Sequence, residues 1–189
     1  MALIKLKEIS QDTWLRSGGG PSRAGVCYYM CNFIESDLGT WKKPDTFENA
    51  VSLAKSFANG TAMMNYAKAQ NLKKAPQTQN YQNIGVNALA ENRIYRAWLQ
   101  VVDRTNPPAN NLPNHEIIIV TGSGNLVAYF EPNFGFFQAS NDGMNNTQAL
   151  EFLINQQYNQ YNPNLSVRGF GYLNVRSITT SLPKSFVSL

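Results

Sequence analysis

The run "EIIIV" (116–120), the turn-forming "TGSGN" (121–125) and the alternating "LVAYFEPN" (126–133) constrain this chain more than any other stretch. β-Branched side chains lose rotamer freedom in a helix and suit a pleated surface, so an uninterrupted Ile-Ile-Ile-Val reads as a strand. A second strand behind a glycine-rich turn makes a β-hairpin, and with it an antiparallel sheet.

Upstream of the hairpin the hydrophobic period is helical. "VCYYMCNFIESDL" (26–38) spaces Val26, Met30, Phe33 or Ile34, and Leu38 at helical intervals, which predicts a largely buried helix starting beside Cys27 and ending at Gly39. Asp45 and Glu48 have capping-box spacing ahead of Phe47, Val51, Ala54 and Phe57, with Gly60 as the stop. "TAMMNYAKAQNL" (61–72) reads as a short third helix. "NALAENRIYRAWLQVVDR" (87–104) reads as a fourth, with Leu89, Ile94, Ala97, Trp98, Val101 and Val102 on its apolar side. The proline-rich "TNPPANNLPN" (105–114) ends that pattern. Past the hairpin, a helix is expected over 146–160, capped by Asn145 or Asn146, and the tail 166–182 reads as one or two further strands. Helices first and a small antiparallel sheet second make an α+β arrangement. One domain over 1–189 is expected, with 1–24 as a flexible lead-in that includes "RSGGGPSRAG" (16–25). Those glycines are not a phosphate cradle, because the Gly-Lys-Ser/Thr ending of such a loop is missing.

A chain of 189 residues that is 43% hydrophobic can bury one sizeable core. Its net charge of +4 favours contact with an anionic membrane surface or acidic partners. With only 15% charged residues and no basic run interleaved with aromatics, nucleic-acid binding is not expected. No stretch approaches the roughly 20 apolar residues of a membrane span, and "MALIKLKEIS" lacks the apolar core and cleavage site of a secretory signal. Cys27 and Cys31 are too few for a disulfide framework and poorly spaced on a helix to bridge each other, so reduced thiols are expected. One histidine and two cysteines four apart do not make a zinc tetrad, and no metal or other cofactor is implied.

Three residues carry the chemistry. Cys27 is expected to open a helix, where unpaired backbone N–H groups and the positive end of the helix dipole favour an anion. A buried cysteine serving only as a small core hydrophobe is the alternative, and it is the reading adopted for Cys31. His115, the single histidine, heads the first hairpin strand. With "TGSGN" as the loop, Val120 pairs with Leu126, and counting outward sets His115 directly opposite Glu131 on one face, with Asn133 diagonal to it. A carboxylate beside an imidazole holds one tautomer and readies the ring to take a proton. A surface histidine near an unrelated glutamate is the competing reading. A thiol nucleophile, an imidazole base and an orienting carboxylate fit one role set.

"GVCYYMCNFI", His115 at a strand start, and "YFEPNFGFF" closing the next strand resemble the YopT-type cysteine peptidases of bacterial effectors, over about 25–137. The resemblance implies a papain-like fold, with the helices packed on the sheet, and a thiol peptidase whose Cys27 and His115 match the family's catalytic pair in type. Glu131 matches the family's aspartate in position only, being one methylene longer, and Asn133 is the alternative orienting group. The family's oxyanion-hole amide has no counterpart, since 17–26 contain neither Asn nor Gln; Ser22 stands in the corresponding place, with the Cys27 backbone N–H as second donor. By the same resemblance the substrate is a protein of a target or host cell, a small GTPase or kinase among the options. The chain would leave its cell by a route without a cleaved signal and act in target-cell cytosol. A glutamine deamidase with the same Cys, His and Glu, or a papain-like scaffold that only binds, are the alternatives.

Overall fold

The computed structural model describes residues 3–8, 27, 28, 30, 31, 65, 89–109, 113–124, 126–139 and 146–177. Within them lie six strands, β1 (Leu3–Glu8), β2 (Arg93–Asp103), β3 (His115–Thr121), β4 (Val127–Glu131), β5 (Gly135–Ala139) and β6 (Leu165–Ser177), and one long helix, α1 (Asn146–Tyr161). The strands form a single sheet in the order β1-β5-β4-β3-β2-β6, and every neighbouring pair is antiparallel. The arrangement is α+β.

The largest departure from the sequence reading is at 87–104, expected to be a helix. Arg93–Asp103 is instead an eleven-residue strand between β3 and β6. Both of its faces are covered, so apolar residues occupy both alternating sets, and Ile94, Ala97, Trp98 and Val101 then satisfy a helical stripe by accident. Ile94, Tyr95, Trp98, Val101 and Val102 are β-branched or aromatic, which is the preference that prevails. The strand is entered through Asn92, whose positive φ of 57° suits asparagine.

The hairpin forms where expected but in another register. Val120 pairs with Ala128 and Thr121 with Val127, and the Gly122 N–H donates to the Leu126 carbonyl at 2.8 Å. Ladder pairing therefore runs two residues tighter than Val120 opposite Leu126. A shift of two preserves the faces. Glu131 stays on the side of His115 but moves from opposite to diagonal, and Asn133 takes the place on the continued register opposite His115.

Two further strands went unread in the sequence. β5 follows β4 after a tight turn in which the Phe134 N–H donates to the Glu131 carbonyl at 3.0 Å and Gly135 takes a φ of 124°. β1 lies on the sheet edge against β5, so 3–8 are not part of a free lead-in. The alternating Ile4-Lys5-Leu6-Lys7 suits an edge strand, where lysines discourage further pairing. Of the helices expected before residue 90, Cys27, Tyr28, Met30, Cys31 and Asn65 are helical, and the remaining positions, including 45–60, lie outside the described residues.

One side of the sheet is covered by α1. Leu150, Leu153, Ile154 and Tyr158 pack onto Tyr95, Ala97, Leu99, Ile117, Ile119, Tyr129 and Phe137. The NPN break stops the helix: the Asn162 N–H donates to the Tyr158 carbonyl at 2.9 Å, and the Asn162 side chain accepts the Asn164 N–H at 3.0 Å. Strand alternation turns Arg96 and Glu116 to the opposite side. There the Arg96 Nε donates to Glu116 Oε1 at 2.9 Å, and both side chains are buried. Arg96 also donates to the Tyr28 carbonyl at 3.2 Å and stands 5.3 Å from the centre of the Tyr28 ring, while the Cys31 Sγ–H donates to the Glu116 carbonyl at 3.4 Å. These contacts fasten the cysteine-bearing helical residues to the middle of the sheet. In a second close approach, Gly171 of β6 lies against the Trp98 indole with no room for a Cβ.

Removing one member of a buried, hydrogen-bonded ion pair strands the other, at about 3–5 kcal/mol, whereas replacing both with apolar groups is far milder. Arg96→Met should therefore lower unfolding free energy in urea by about that much, and Arg96→Met with Glu116→Leu should recover most of it. A single variant within about 1 kcal/mol of the native protein would show that the pair does not hold the helical residues in place.

Candidate active site

His115 is positioned by the residue before it. The Asn114 side chain accepts the Val101 N–H and donates to the Val101 carbonyl, both at 2.8 Å, and the Asn114 N–H donates to the Leu99 carbonyl at 3.1 Å. An asparagine amide thus stands in for one link of the β2–β3 ladder. It fixes the chain where β3 begins, with His115 paired to Leu99. His115 is 7% exposed and Glu131, the last residue of β4, is 0% exposed.

The His115 Nε2 is bonded to Glu131 Oε1. Cys27 lies near enough to this imidazole to act on its charge. Burial opposes charge on the ring; the Glu131 carboxylate, followed by Cys27, outweighs it and raises the His115 pKa from 6.5 to about 10. The ring is an imidazolium at neutral pH.

Glu131 has further donors. Its Oε2 accepts the Asn133 backbone N–H at 3.1 Å, and its Oε1 accepts the Tyr158 hydroxyl at 3.2 Å. The Asn133 side-chain Nδ2 donates to the Tyr158 oxygen at 2.8 Å and lies 3.5 Å from His115 Nε2. Burial, with the Glu131 charge adding to it, raises the Tyr158 pKa well above its ordinary value, so the phenol is neutral.

Of the residues singled out in the sequence, Cys27, His115 and Glu131 come together, with Asn133 beside them; Ser22 lies outside the described residues. Glu131 is the hydrogen-bond partner nearest to the imidazole, and Asn133 meets the group through Glu131 and Tyr158. Sequence reasoning missed Tyr158, Asn114 and Arg96. Tyr158 carried a signal: with Leu150 and Ile154 it forms an i, i+4, i+8 stripe on a buried helix face, and a buried tyrosine there needs a partner for its hydroxyl. Among the described residues, no group of three or more His, Cys, Asp or Glu could hold a metal ion, and no helix is long and apolar enough to cross a membrane.

Compared with protein-family models, curated proteins and solved structures, the chain matches none of them.

Both cysteines are free, but their surroundings differ. Cys31 is 0% exposed, and burial raises its pKa well above 9.0, whereas Cys27 sits at 9% exposure beside an imidazolium. Iodoacetamide at pH 7 should label Cys27 at least about tenfold faster than Cys31. Mass mapping of the alkylated peptides reads this directly, and equal slow labelling would reduce Cys27 to a core residue.

Proposed function

We propose that the chain is a papain-like thiol hydrolase of the bacterial effector type, cleaving a protein of a target cell. The observation that carries this reading is the convergence of Cys27, His115 and Glu131, with the ring bonded to the carboxylate by one nitrogen and Cys27 close by. Nothing else in the described residues calls for a histidine charged and buried at a strand end. Isolated buried ions are costly, and Ile or Leu would stabilise such a site at less expense.

In this proposal Cys27 and His115 work as a pair in which the ring holds the proton during attack. The Cys27 sulfur attacks the carbonyl carbon of the scissile amide, and the charge developing on the oxygen is met by the Cys27 backbone N–H and, in the proposal, the Ser22 hydroxyl. His115 gives its Nδ1 proton to the departing nitrogen, the C–N bond breaks, and a thioester remains on Cys27. A water molecule, losing a proton to the now neutral ring, attacks the thioester; the acid leaves, and the sulfur is freed with the proton back on the ring. Glu131 keeps the ring oriented and balances its charge through every step. The net charge of +4 suits a substrate presented at an anionic membrane surface, a small GTPase with a lipidated tail or a membrane-associated kinase among them. Action in target-cell cytosol, after export without a cleaved signal, belongs to the same reading.

Incubation with candidate targets followed by intact-mass analysis should yield two fragments whose masses sum to that of the target plus one water, and none with Cys27→Ala. Glu131→Gln should lower the cleavage rate by about a hundredfold or more, because an amide cannot balance an imidazolium, while Asn133→Ala should cost less. An intact target heavier by about one dalton would replace the peptidase with a glutamine deamidase using the same groups. Tight binding without any mass change, surviving Cys27→Ala, would leave a scaffold.

A further inference from the structure

Tyr158 is 2% exposed, so its hydroxyl has to find its partners inside the protein. It has two, and the first decides the geometry of the second. The Asn133 Nδ2 donates to the phenolic oxygen at 2.8 Å, so the one hydroxyl proton is directed to Glu131 Oε1 at 3.2 Å. Oε1 is also the oxygen that holds His115 Nε2. With the Asn133 backbone N–H on Oε2, the carboxylate has donors on both oxygens and cannot turn without losing one. The ring is itself held: it meets the His115 ring edge-on at 6.3 Å and the Phe134 ring at 5.0 Å.

A glutamate has one more rotatable bond than an aspartate, and each additional free torsion loosens whatever its carboxylate is meant to orient. A donor arriving from a separate element, α1, removes that freedom.

We propose that Tyr158 is a positioning residue, which through Glu131 Oε1 locks the rotation of the His115 imidazole beside Cys27. The proposal rests on the Cys27, His115 and Glu131 reading above. The competing role is that of a core residue, continuing the apolar stripe of Leu150 and Ile154, and in that role phenylalanine would serve equally well.

Tyr158→Phe separates the two, because it retains the ring and removes only the hydroxyl. His115 is the one histidine in the chain, so its ring N–H signals in a 15N-labelled sample are unambiguous. Loss of a hydrogen bond to a charged group should speed solvent exchange of the Nε2 proton by about ten- to a hundredfold and lower kcat by a similar factor, with KM unchanged and the melting temperature near native. Exchange and kcat equal to those of the native protein would make Tyr158 a core residue only. Should the phenylalanine variant fail to fold, Asn133→Ala, on a partly exposed side chain, removes the group that directs the hydroxyl. The same changes should follow in smaller measure, and unaltered exchange there would equally overturn the proposal. Faster exchange in Tyr158→Phe, alongside native protein that hydrolyses nothing, would uphold the positioning of His115 and sink the hydrolase reading instead.

Discussion

A carboxylate with no solvent exposure can keep its charge only if the protein supplies what water would have supplied, and Glu131 is such a group. Its donors come from three places: His115 at the start of β3, the Asn133 backbone in the turn after β4, and Tyr158 near the end of α1. The hairpin, the turn and the helix must therefore all be in place before the charge is tolerated. The arrangement has a cost that depends on pH. A histidine raised from 6.5 to about 10 on folding contributes stability in full below about pH 6.5, and loses it as the pH climbs through about 10.

Strand alternation lets two adjacent residues do different work. His115 turns to the face covered by α1 and meets Glu131, while Glu116 turns to the other face and meets Arg96, which in turn holds Tyr28. One strand start thus anchors both the imidazole and the helical residues that bear the thiol. Asn114, bonded to the backbone of Val101 on both sides of its amide, fixes the position of that strand start.

Much of this was legible in the sequence, for identifiable reasons. The Ile-Ile-Ile-Val run, the glycine turn and the helix over 146–160 are local patterns, and they formed where the pattern placed them. The pairing of His115 with Glu131 survived an error of two residues in register because side chains alternate with a period of two. β2 was misread because a strand buried on both faces has no clean alternation, and its apolar positions then also fit a helix. β5 was hidden behind a short turn, and β1 is an edge strand whose partner is more than a hundred residues away, a relation that no local pattern encodes. Tyr158 and Arg96 act through long-range contacts across the sheet faces, which spacing along the chain does not reveal.

The site depends most on His115 being charged while buried. With one histidine in the chain, 15N NMR of the imidazole follows its ionisation without assignment. The ring nitrogens should keep the shifts of an imidazolium through pH 8 and titrate near 10, and Glu131→Gln should bring that transition down. A native imidazole that titrates near the ordinary 6.5, unaffected by Glu131→Gln, would contradict the buried ion pair on which the site is built.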